Sequence, residues 1–113
     1  MHADLLALEE IAARPCLKDE AGREVYPGVH VKAAVLLDEL LRRRPFDRAN
    51  RAIALLCALV FLAMNDLEVT ADDDDLVELT ELTDQGKLSL LLVAAAFEAA
   101  TRRVNYAVDP GRA

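Results

Sequence analysis

The chain has 113 residues and a formal net charge of −7, with 54% hydrophobic but only 4% aromatic residues. This length holds one domain with a hydrophobic core, not two, and that core must be aliphatic because aromatic side chains are scarce. The negative charge argues against nucleic-acid binding, which needs clustered lysines and arginines, and is better matched by a basic protein partner.

The first part of the chain predicts two helices separated by an exposed loop. Apolar residues at helical spacing predict the first helix over His2–Arg14, and a proline follows it. The charged stretch Pro15–Tyr26 predicts the loop. A single apolar face over Gly28–Arg43 predicts the second helix, with arginines at its carboxyl end, where the helix dipole favours cations.

The third predicted helix, Asp47–Met64, contains an unbroken apolar run over residues 52–64. Because a helix that is apolar on every side is typical of a buried one, we expect it to be the central helix of the fold. The run is too short to cross a membrane, which takes about 20 residues. Neither Cys16 nor Cys57 has a partner at disulfide or metal-ligand spacing, and no signal peptide is evident, so the sequence favours the cytoplasm.

The second part of the chain predicts two more helices. After an extended link at Leu67–Thr70, four consecutive aspartates, residues 72–75, suit the amino end of a helix and lack the spacing of a calcium loop. Gly86 suits its carboxyl end, and the last helix is predicted from Leu90 to about Arg103. The sequence thus predicts an all-α domain, a single compact bundle of about five helices over residues 1–103, and a frayed tail over residues 104–113.

One stretch carries a family resemblance. Residues 44–52, Arg-Pro-Phe-Asp-Arg-Ala-Asn-Arg-Ala, resemble the Fic/Doc signature His-Pro-Phe-x-Asp-(Ala/Gly)-Asn-Lys-Arg, most closely that of the Doc (death-on-curing) toxins. The sequence Leu-Leu-Ala-Leu-Glu-Glu-Ile-Ala-Ala-Arg-Pro at residues 5–15 is similar to a Doc segment, and similarity continues in order to about residue 100. Doc proteins usually carry a further amino-terminal segment, so the resemblance is to a Doc protein with a shortened amino terminus.

The resemblance implies a Fic/Doc-like fold but a degenerate site. In the family, the signature His is the catalytic base and the Asp holds Mg²⁺ on the nucleotide phosphates. Arg44 occupies the position of that His, and Arg48 occupies the position of the Asp. An arginine cannot act as a general base at neutral pH, and a cation in place of a metal carboxylate repels Mg²⁺. We therefore predict no catalytic residue and no metal ligand in this stretch.

The other groups of this stretch are suited to binding an anion. The free amides at a helix amino end and nearby cations both attract phosphate. The predicted phosphate- or nucleotide-binding residues are Arg44, Phe46, Arg48, Ala49, Asn50 and Arg51. The alternative is that Arg44 and Arg48 are solvated, or pair with Asp47 or with carboxylates of a partner. No cofactor is required by the sequence; ATP or another phosphate-bearing ligand fits these residues, and Mg²⁺ does not.

Three functions follow from these patterns. The first is a catalytically degenerate Doc-like protein of a bacterial toxin–antitoxin system, a binding or regulatory protein whose antitoxin would place a helix in an apolar groove. The second is an unusual ATP-dependent phosphotransferase or nucleotidyltransferase that acts on a protein hydroxyl, such as one of elongation factor Tu. The third is a helical homo-oligomerisation module, which would associate as a homodimer. Neither a nucleic acid nor a membrane is expected as a partner.

Overall fold

A computed structural model describes residues 2–104, which form a single compact bundle of five α-helices. The predicted all-α class is therefore confirmed. The helices are α1 (Leu5–Ala13), α2 (Val29–Arg43), α3 (Asn50–Met64), α4 (Asp73–Asp84) and α5 (Leu90–Ala99). A short 3-10 turn at Arg14–Cys16 follows α1, and two short strands, β1 (Leu67–Val69) and β2 (Thr101–Arg103), form an antiparallel pair.

The central helix of the bundle is α2. It packs against all four other helices, and none of its residues from Val29 to Leu41 is fully exposed. Ala33, Ala34 and Leu37 have no accessible surface. Small alanines at these positions allow α3 and α5 to pack closely against α2.

The prediction that the third helix is enclosed was wrong. Only one stripe of α3 is buried, at Asn50, Ala54, Ala58 and Leu62, and this stripe lies on the side that packs against α2. On the opposite side, large apolar residues are exposed, among them Leu56 at 60% and Met64 at 78%. The apolar run cannot by itself distinguish a helix covered on all sides from one whose outer face is open.

Local backbone geometry sets the helix limits. Helix α1 begins later than predicted, because the Asp4 side chain caps it by accepting a hydrogen bond from the Ala7 amide at 3.0 Å. Helix α3 begins at Asn50 instead of Asp47, because Ala49 has a left-handed conformation with φ of 59°. Gly86, with φ of 72°, follows α4 in a Schellman arrangement, as its position predicts.

The last helix is shorter than predicted, since it ends at Ala99 and the chain continues into β2. In the register of the strand pair, Leu67 lies opposite Arg103 and Val69 lies opposite Thr101. The Thr101 hydroxyl also donates to the Phe97 carbonyl at 2.7 Å, which satisfies the end of α5. No local sequence pattern indicates a strand pairing between residues more than thirty positions apart. The prediction from helical spacing alone therefore placed the end of α5 too late in the chain.

Within residues 2–104, no helix combines the length and the apolar character needed to span a membrane. The predicted tail begins at Val104, whose amide donates to the Asp66 carbonyl at 2.8 Å. The rest of that tail, residues 105–113, lies outside the described residues.

Candidate functional site

The predicted site residues lie on a loop between two helices, and this loop has an unusual backbone. Arg44 ends α2 in a left-handed conformation with φ of 44°, and Ala49 precedes α3 in the same region with φ of 59°. Non-glycine residues seldom adopt positive φ, and such strain is often found at functional sites. The loop 44–49 therefore carries strain at both ends.

Asn50 fixes the shape of this loop. Its side-chain Oδ1 accepts a hydrogen bond from the Phe46 amide at 3.1 Å, and its Nδ2 donates to the Phe46 carbonyl at 2.8 Å. Asn50 is only 7% exposed, and Phe46 packs against the hydrophobic core. Both residues thus fix the loop on the side that faces the core, and Oδ1 and Nδ2 of Asn50 each make a hydrogen bond to the Phe46 backbone.

The amino-terminal residues hold the loop from its other side. The Asp4 amide donates to the Pro45 carbonyl at 2.7 Å, and the Asp47 amide donates to the His2 carbonyl at 3.1 Å. The Asp47 carboxylate accepts a hydrogen bond from the His2 amide at 3.1 Å. These contacts bring His2 beside the loop, although 42 residues separate it from Arg44 in the sequence.

Two predicted arginines converge on one carboxylate. Arg44 Nη1 lies 3.3 Å from Asp84 Oδ1, and Arg51 Nε lies 2.5 Å from Asp84 Oδ2. The hydrogen bond that Arg51 donates to Asp84, together with the negative charges of Asp84 and Glu81, raises the pKa of Arg51 above its usual range. The loop end of α3 therefore holds two cations spaced so that both contact a single anionic group.

Without these arginines, the position of Asp84 would be electrostatically unfavourable for a carboxylate. It is the last residue of α4, where the negative end of the helix dipole disfavours a carboxylate. Its side chain is only 13% exposed, whereas those of Arg44 and Arg51 are about half exposed. The two arginines offset this cost, and each keeps part of its side chain exposed to solvent.

The remaining predicted residues, Arg48 and Ala49, are exposed at the loop tip. Arg48 contacts no carboxylate within residues 2–104, and Arg44 pairs with Asp84 and not with Asp47. No side chain caps the first turn of α3, so its amides and the three arginines share one end of the helix. The guanidinium groups of Arg44, Arg48 and Arg51 are accompanied at this end of α3 by the carboxylates of Asp47 and Asp84, and the charge of Glu81 also acts on Arg51.

Acid–base and metal-binding groups at the loop are few. Among the described residues, no cluster of His, Cys, Asp and Glu side chains could hold a metal ion. The carboxylate of Asp47 is hydrogen-bonded to the amino-terminal backbone, and that of Asp84 to the arginines. His30 lies on α2, with its Nε2 3.1 Å from the Thr101 hydroxyl.

Sequence reasoning missed Asp84 and His2 as neighbours of the site. Asp84 lies 33 residues from Arg51, at a helix end where an acidic residue has no local purpose. An acidic residue at the carboxyl end of a helix is the one sequence feature that could have indicated a distant cationic partner. Nothing in the sequence indicated that His2 lies beside the loop, since this position depends on an isolated β-bridge between Ala3 and Phe46.

No protein-family model matches the chain, and no curated protein matches it.

Proposed function

We propose that this protein is a catalytically degenerate Doc-like member of a bacterial toxin–antitoxin system, which binds a phosphate group without a metal and acts in the cytoplasm as a binding or regulatory protein. The observation that carries the proposal is the convergence of Arg44 and Arg51 on one carboxylate at the open end of α3. A carboxylate and a phosphate accept hydrogen bonds from guanidinium groups in similar geometry. Because the side chains of Arg44 and Arg51 are about half exposed, a phosphate group could reach them from solvent, beside Asp84.

The cations supply the charge that a metal would otherwise bring. Arg48 adds a third positive group at the loop tip, and the uncapped amides of α3 add donors that point away from the helix. Mg²⁺ needs carboxylate or phosphate oxygens, and the two carboxylates at the loop already accept hydrogen bonds from other groups. This arrangement favours an anion over a divalent cation.

Isothermal titration with inorganic phosphate tests the proposed site. We expect binding that is equally strong in EDTA and in Mg²⁺. Arg51→Ala and Arg44→Ala should each weaken it about tenfold, since each removes a charge-assisted hydrogen bond. Asp84→Asn should strengthen it, because the competing negative charge is gone.

Arg43→Ala is the matched control for these variants. Arg43 lies next to Arg44 in the chain but pairs with Glu10 on α1 at 2.8 Å, so its loss should leave phosphate binding unchanged. Equal weakening by Arg43→Ala and Arg51→Ala would show a general charge effect and contradict the site. Binding that requires Mg²⁺ would contradict the metal-free mode.

The alternative function, a phosphotransferase or nucleotidyltransferase, has one observation in its favour. The amino-terminal pairing places His2, a residue type able to act as a general base, beside the loop. His2 is exposed and is bonded to the loop through its backbone. Transfer from labelled ATP distinguishes this function from the degenerate one.

A further inference from the structure

A narrow groove of about 200 Å³ lies between α3 and α4, directly beside the loop site. Three residues of each helix line it: Arg51, Ala52 and Leu55 from α3, and Val77, Thr80 and Glu81 from α4. Because Arg51 also contacts Asp84, the groove and the proposed phosphate site share one guanidinium group. We call this feature the α3–α4 groove.

The α3–α4 groove runs away from the Arg51–Asp84 ion pair. On α3, Leu55 lies one helical turn after Arg51. On α4, Thr80 and Val77 lie one and two turns before Asp84. The two helices thus bring a cation to one end of the groove and apolar side chains to the rest of it.

Beyond Arg51, the groove offers little to a polar group. The Thr80 hydroxyl is buried and donates its one hydrogen to the Leu76 carbonyl at 2.8 Å. Glu81 is exposed at the edge of the groove, where its carboxylate would repel a second anionic group. The part of a ligand that enters the groove is therefore expected to be apolar and without negative charge.

The volume of the groove sets the size of that apolar part. A dry cavity of about 150 Å³ is large enough for one benzene molecule, whereas drug-sized ligands occupy pockets of about 300 Å³ or more. At about 200 Å³, the α3–α4 groove has room for a single aromatic ring but not for a nucleoside.

We propose that the phosphate-bearing ligand of this protein is an aryl phosphate monoester, whose phosphate group meets Arg44 and Arg51 and whose ring lies in the α3–α4 groove. This inference rests on the proposed phosphate site and names the class of ligand that the site binds. One ester oxygen joins ring and phosphate, just as Arg51 adjoins both the groove and Asp84. A nucleotide fits less well, because its sugar and base exceed the groove and carry polar atoms that would meet apolar side chains.

Isothermal titration of the full chain with three phosphate esters tests this proposal. Phenyl phosphate carries the ring, methyl phosphate has the same charged group without a ring, and adenosine monophosphate carries a sugar and a base. We expect phenyl phosphate to bind about tenfold more tightly than either of the others, because its ring removes apolar surface of the groove from water.

A variant that fills the groove locates the ring. Ala52→Phe should abolish the preference for phenyl phosphate, since Ala52 lies exposed at the edge of the groove and the added ring would occupy it. Binding of methyl phosphate should stay unchanged. Ala63→Phe is the matched control, because Ala63 is likewise exposed on α3 but lies about three helical turns away and does not line the groove.

An aryl phosphate group occurs both on small molecules and on phosphorylated tyrosine side chains. Titration with a short phosphotyrosine peptide distinguishes the two sources. Tighter binding of the peptide than of phenyl phosphate would assign the group to a protein, and weaker binding would assign it to a small molecule. Either result upholds the aryl phosphate class.

Three outcomes overturn the proposal while the phosphate site stands. They are equal binding of phenyl phosphate and methyl phosphate, tighter binding of adenosine monophosphate than of phenyl phosphate, and an equal loss of preference in Ala52→Phe and Ala63→Phe. If neither inorganic phosphate nor any of the three esters binds, the proposed function itself is refuted.

Discussion

At the scale of single residues, the loop shows how one side chain can determine the geometry of a candidate site. Asn50 is predicted from the sequence as a ligand contact, but its amide group is bonded at both ends to the Phe46 backbone. Arg44 and Arg51 keep exposed guanidinium groups that can reach an anion. The residues that hold the loop and the residues that face solvent are therefore different ones.

Asn50→Ala should lower the free energy of unfolding by about 2 kcal/mol, because it leaves buried backbone groups of the loop without partners. Asn65→Ala is the matched control. Asn65 is half-buried and makes a single side-chain hydrogen bond, at 2.8 Å to the Phe61 carbonyl, so its loss should cost less. Urea denaturation of both variants measures the difference. Equal costs would contradict a special role of Asn50 in holding the loop.

At the scale of elements, the bundle is organised around α2, and the small side chains of α3 allow its approach. Ala54 and Ala58 have no accessible surface on the side of α3 that packs against α2. Ala52 lies on the opposite side and is exposed. The two faces of this apolar helix thus have different environments that residue type alone does not reveal.

The same substitution on the two faces of α3 should have different effects. Ala58→Leu adds volume to a closely packed position and should cost about 1–3 kcal/mol of stability. Ala52→Leu adds the same atoms to an exposed position and should change stability by less than about 0.5 kcal/mol. Thermal or urea unfolding compares the two. A similar cost for both would mean that the outer face of α3 is covered after all.

The sequence predicts local features well and long-range ones poorly. The capping glycine, Gly86, and the five helices follow from local chemistry, and the structure confirms them. The strand pair and the Arg51–Asp84 contact each join segments more than thirty residues apart, and no local pattern specifies them. The central position of α2 was missed because the more apolar helix, α3, is packed on only one side.

At the scale of the whole molecule, charge is unevenly distributed. The chain is acidic overall, yet two arginines, Arg44 and Arg51, meet the carboxylate of Asp84 at the loop end of α3, whereas the charged groups exposed on α4 are all acidic. The two regions meet at Arg51. The loop carries exposed arginines and α4 carries exposed carboxylates, so the two regions differ in the sign of their exposed charged groups.

We propose that the loop binds phosphate but does not transfer it. The most direct test incubates the full chain with cell extract and with ATP labelled on the α or the γ phosphate, in the presence of Mg²⁺, and measures label on protein. We expect no more label than in an extract without the chain. Label transfer that Arg51→Ala or His2→Ala abolishes, and that Arg43→Ala leaves intact, would show instead that the protein is an active transferase.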